Sequence, residues 1–158
     1  MSGAVTAGYA FKLAFFTAVE TLLTDEKSLL VSFGSAGVAG MAYDDIVGVA
    51  DLQVTQTTGP MGTSRARDED LVLTVWVSAF KAGDVLDLER QASNRAFDLL
   101  GRIEHLVRQS DTTVGGTVMW CSLTSYDATG FIDQVRQAAG RTVDIEARFT
   151  ARARVTGP

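Results

Sequence analysis

One cysteine and one histidine stand among the 158 residues. A single cysteine excludes an intrachain disulfide. One of each leaves too few ligands for a zinc site, which needs convergent side chains at set spacing. His105 falls beside Ile103 and Leu106 in a helical pattern, so packing or capping suits it better than catalysis. A Ser–His–Asp arrangement would have to use it, and the chain has no G-x-S-x-G turn to present a nucleophile. Cys121 sits in the apolar run "TVMWCSL" and reads as a buried, inert thiol.

Other chemistry is missing too. The stretch "FGSAGVAG" follows a strand pattern but lacks the Lys-Ser/Thr of a phosphate loop and the G-x-G-x-x-G of a dinucleotide site. No helical pattern follows it to aim amides at a phosphate. The acidic clusters "DEK", "YDD" and "RDED" do not match a calcium loop and read as solvated turns. No apolar run approaches the roughly 18 residues of a membrane span. The start "MSGAVTAGYAFK" has no basic region and no small-residue cleavage site, so the expectation is cytosolic synthesis without a signal peptide. The net charge is −5, which argues against a general nucleic-acid binder. The expectation from these gaps is a protein without cofactor, metal or enzymatic activity.

What is present is a strand. In "RTVDIEARFTARARV", residues 141–155, Val143, Ile145, Ala147, Phe149, Ala151, Ala153 and Val155 alternate with polar and charged residues. Period two predicts one buried and one wet face. Fifteen residues would reach about 50 Å, against a usual strand of about five or six residues. Arg148, Arg152 and Arg154 line the wet face. A solvated, aggregation-resistant edge would explain those charges. The length suggests more: shorter strands would leave part of its backbone unpaired. A second subunit could satisfy that overhang, with the aspartate-rich first third supplying partners for the arginines.

Upstream, Val5 to Thr24 reads as a helix with Tyr9, Leu13, Phe16 and Leu23 in helical register and Phe11, Phe15, Ala18 and Leu22 widening the stripe. Gly8 weakens its first turn. "SLLVSF" and "DIVGVADLQVTQT" read as strands. "TGPMGTSRARDED" reads as a long charged loop, a candidate contact element through Arg65 and Arg67. "LVLTVWVSAF" is apolar on both faces and predicts a central strand covered on both sides. A second helix runs from Val85 to Gln109, with Asp84 as its cap and Leu88, Ala92, Ala96, Leu99, Ile103 and Leu106 on its inner face. "TVMWCSLTSY" is a strand, and residues 127–140 are a short helix or an irregular link. The length fits one domain over residues 1–158. The fold class is α+β: a mostly antiparallel mixed sheet, two main helices on one face and a long C-terminal strand.

This order of elements resembles the tail terminator proteins of long-tailed bacteriophages. The likeness is densest from Leu71 to Trp120, through "LVLTVWVSAFKAGD", "LERQASNRAFDLLGRIEHLVRQS" and the Gly115-Gly116 turn. It covers nearly the whole chain, although no single motif is specific and residues 127–140 have no place in the family pattern. The resemblance implies a structural virion protein that forms a hexameric ring at the head-proximal end of the tail tube. Such a ring stops tube growth, docks neck or head-completion proteins, and lets DNA pass without binding it. No cofactor is implied and no binding residue carries over. The bottom-up reading adds Arg65, Arg67, Arg148, Arg152 and Arg154 as interface candidates. Two other readings stay open: another head–tail connector or tail-tube protein, and a small-molecule-binding or enzymatic α+β domain.

Overall fold

The structure, a computed structural model, describes residues 5–58, 66–83, 86–133 and 140–156. Helix α1 spans Gly8–Leu22 and is followed by strand β1, Leu29–Phe33. A 3₁₀ turn at Gly37–Ala42 leads into β2, Asp45–Thr58. Then come β3, Arg67–Ala82, and α2, Leu88–His105, which ends in a π-helical turn at Leu106–Ser110. Strands β4, Trp120–Asp133, and β5, Gly140–Val155, complete the sheet. The sheet order is β1-β2-β3-β5-β4. β1 runs parallel to β2, and every other pair is antiparallel. The chain is thus α+β, as its pattern predicts.

Both helices pack into one apolar layer on one face of the sheet. From β3 that layer takes Leu71, Leu73, Val75, Val77 and Ala79, and from β5 it takes Val143, Ile145, Ala147, Phe149 and Ala151. These are the odd-numbered positions, opposite one another across the β3–β5 ladder, as in Leu73 against Phe149. α1 contributes Phe11, Phe15, Val19 and the following Leu23, and α2 contributes Ala92, Ala96, Leu99, Leu100 and Ile103. Burying each large side chain here is worth about 1.5–3 kcal/mol.

Five readings change. In α1 the buried row steps by four from Phe11, while Tyr9 and Leu13, read as part of the buried stripe, are 67% and 41% exposed. The helix carries apolar groups on two sides, and the sheet takes the row with three consecutive large side chains. α1 also begins at Gly8 rather than Val5, because the chain must pass close to β2. A Cβ on Gly8 would lie 3.1 Å from both Leu52 and Val54.

β3 is central, as expected, but its second face carries no helix among the described residues: Trp76 is 41% exposed there. The run Arg67–Asp70, read as loop, is the first quarter of β3 and pairs with Thr55–Thr58. Residues 127–133, read as short helix or link, continue β4, because the first half of β5 offers them a ladder from Asp127↔Glu146 to Asp133↔Gly140. Tertiary pairing overrides weak local preference here. The Asp84 cap and residues 134–139 lie outside the described residues. Asp87, at the N-cap position of α2, makes no side-chain cap bond. Its carboxylate instead accepts two hydrogen bonds from Arg90, at 2.7 and 2.9 Å.

Candidate functional site

The arginine ladder lies where the alternation places it, on the sheet face away from the helices. Its partners differ from those expected. Arg154 donates to both carboxylate oxygens of Asp68, at 2.8 and 3.2 Å. Arg152 donates to Asp68 at 3.3 Å, and its Nε lies 4.0 Å from Asp70. Arg148 reaches Asp127 at 3.3 Å and Glu146 at 3.0 Å. The hydrogen bond from Arg154, with help from Arg152, holds the Asp68 carboxyl below its ordinary range. All three arginines therefore meet carboxylates of their own chain, from β3, β4 and β5, rather than from the first third. The overhang is also absent. β3 pairs with β5 continuously from Arg67↔Val155 to Ala82↔Gly140, because the charged run before Leu71 is strand.

Arg65 lies outside the described residues. Arg67 is half-buried and turned toward the N-terminal segment, where its Nη2 donates to the Val5 carbonyl at 3.1 Å. Beside it stands a residue that the strand pattern does not flag. Glu69 is fully buried, on the face that Leu71 and Leu73 share. Its carboxylate accepts from the Ala7 amide at 2.6 Å, the Thr6 hydroxyl at 2.7 Å and the Gln56 amide at 2.6 Å. Burial pushes this carboxyl up, but those bonds and the Arg67 charge outweigh burial and leave it below its ordinary value.

A second polar cluster ties the far end of α1 to α2. Arg95 donates to Glu26 at 2.7 Å and to Asp45 at 2.9 Å. Arg102 donates to Glu26, and to the Leu22 carbonyl at 2.9 Å. The Arg95 hydrogen bond is the main cause that keeps the Glu26 carboxyl below its usual range, and the same bond raises the Arg95 guanidinium. Only the i, i+7 spacing of Arg95 and Arg102 on one helix side hinted at this cluster in the sequence.

The outer edge of the sheet at β4 is fourteen residues long and meets no further strand among the described residues. Large apolar side chains cluster along it: Trp120, Tyr126, Phe131 and Ile132 are between 42% and 53% exposed. Phe97 of α2 joins them, edge-on to Tyr126 at 5.6 Å. An exposed strand edge with apolar flanks is a pairing template. At the opposite side, β1 covers β2 only as far as Val49, so among the described residues Ala50 to Thr58 have no strand on that side. A cleft of about 380 Å³ opens there, lined by Lys12, Asp51, Gly48 and Trp76. A larger apolar groove of about 830 Å³ runs along α1 past Leu13 to Leu106.

Cys121 is buried, and burial pushes its thiol up to about 12. His105 ends α2 with its side exposed to solvent. Among the described residues, no three His, Cys, Asp or Glu side chains converge as metal ligands, and no helix is long and apolar enough to cross a membrane.

No protein-family model and no curated protein sequence matches the chain. Among solved structures, a chain of one described as "Virion of native gene transfer agent (GTA) particle" aligns over 95% of this chain and 96% of its own. The identity is 12% and the TM-score 0.34. A likeness at that level carries no argument by itself.

Proposed function

We propose that this chain is a structural virion protein without enzymatic activity, and that it forms a hexameric ring at the head-proximal end of a phage tail tube. There it ends tube growth and presents a docking face to neck or head-completion proteins. The element order from Leu71 to Trp120 suggested the family. The observation that carries the reading is the pair of dissimilar open edges, β4 on one side and the outer side of β2 beyond Val49 on the other. Two unlike surfaces on one subunit suit a head-to-tail contact, which closes into a ring when its rotation allows. The arginines, already neutralised inside the chain, leave the sheet face poorly equipped to hold DNA phosphates, which suits a conduit.

Negative-stain images of the purified protein with and without tail tubes test this. Rings confined to tube ends support it. Long filaments of the protein alone would indicate a tube subunit instead. The cleft beside Trp76 favours a second reading, a small-molecule-binding domain. That reading gains if Trp76 fluorescence responds to a panel of small metabolites while tubes are ignored.

A further inference from the structure

Glu69 occupies a position that the alternation of β3 assigns to an apolar side chain. Leu71, Leu73, Val75, Val77 and Ala79 follow it along the buried face, and it begins that row as a carboxylate with no exposure. A buried charge must be paired or hydrogen-bonded to be tolerated. Here the bonds come from two sources. Gln56 is its cross-strand neighbour on β2. Thr6 and the Ala7 amide belong to the segment that enters α1. The same segment is gripped again at Val5, whose carbonyl accepts from Gln56 at 3.3 Å and from Arg67 at 3.1 Å. Ala153, opposite Glu69 on β5, adds no charge.

We propose that Glu69, Gln56 and Arg67 form a latch that holds residues 5–7 as a strap across the end of the β2–β3 hairpin, and that the strap opens without unfolding the sheet. The carboxylate sits at the N-terminal end of α1, where the helix presents unpaired amides and a partial positive charge. Hydrophobic residues hold the rest of α1, from Phe11 onward. The strap itself is held by polar contacts, and Val5 is 79% exposed. Polar contacts of this kind can exchange with water or with a partner's groups, whereas the Phe11–Phe15–Val19 row cannot leave the core without opening it. The latch stands independently of the ring.

Hydrogen exchange on the isolated full chain tests it. In Glu69→Leu the apolar row continues, so the sheet should stay folded while the strap loses its anchor. The amides of Ala7, bonded to Glu69, and of Phe11, bonded to the Ala7 carbonyl, should then exchange about 10- to 100-fold faster, the loss expected for buried charged hydrogen bonds. Amides of the β4–β5 ladder should keep their protection. Thr6→Val removes one donor and leaves the carboxylate, and should give a smaller acceleration at the same amides. Unchanged exchange at Ala7 and Phe11 in both variants would overturn the latch. So would an equal acceleration across β4 and β5, which would make Glu69 a general brace of the core.

Discussion

The ring of Phe149 on β5 meets the ring of Phe15 on α1 at a centroid distance of 5.1 Å and an interplanar angle of 62°. Both side chains are 99–100% buried. This contact joins the middle of the sheet to the middle of the helix. Phe149→Ala should cost about 3–5 kcal/mol, the range for truncating a core aromatic. A urea titration would measure it, and a loss below 1 kcal/mol would mean that the site collapses around the cavity. Phe149→Asp should leave no cooperative transition, because an unpaired charge would be buried.

The arginine ladder supports a different forecast from the one its sequence suggests. Replacing Arg148, Arg152 and Arg154 together by glutamate sets new carboxylates beside Asp68, Asp70, Asp127 and Glu146 of the same chain. The isolated subunit should therefore melt at a lower temperature, and added salt should recover part of the loss by screening. A melting temperature equal to wild type, with assembly abolished, would assign the arginines to a subunit contact after all.

Acid should act through Glu26. Its folded pKa lies below the unfolded value, held down first by the Arg95 hydrogen bond. Its contribution is then complete above the ordinary carboxylate range and is lost as pH falls through the lowered folded pKa. Glu26→Gln should be less stable than wild type at pH 7 and approach it toward pH 3. Parallel stability curves for the two proteins across that range would refute the assignment.

Cys121 should react slowly. With the thiol pushed up to about 12 and the side chain buried, little thiolate exists at pH 8. Labelling by an aromatic disulfide should be slow in buffer and fast in denaturant. Rapid labelling of the native protein would show that β4 opens readily.

Period-two alternation made β5 legible residue by residue, since a core face of Val143 to Val155 leaves one solution for the register of side chains. The same logic failed beyond the apolar run of β3. Arg67 to Asp70 carry charge on consecutive positions, which hides an alternation in which Glu69 is buried and Asp68 meets two arginines across the sheet. Gly130 and Ala128 made residues 127–133 look like a break, and only the long neighbour in β5 makes a strand of them. The Glu69 and Arg95 clusters escaped notice because their members lie far apart in the chain, as Thr6 and Glu69 do. For the proposed interface, the sequence offered arginines, whereas the open apolar edge at β4 emerged only with the strand order.

That strand order also sets a timetable. β5 lies between β3 and β4, yet it is translated after both. As the chain leaves the ribosome, β4 has no neighbour to bind and β3 has only β2. The two longest ladders of the sheet must wait for Gly140 to Val155. Until then Trp120, Tyr126 and Phe131 belong to a nascent segment with neither of its edges covered, the kind of species that aggregates or recruits chaperones. A released chain truncated before residue 140 should therefore be cut by proteases within β4, where the chain that includes β5 resists.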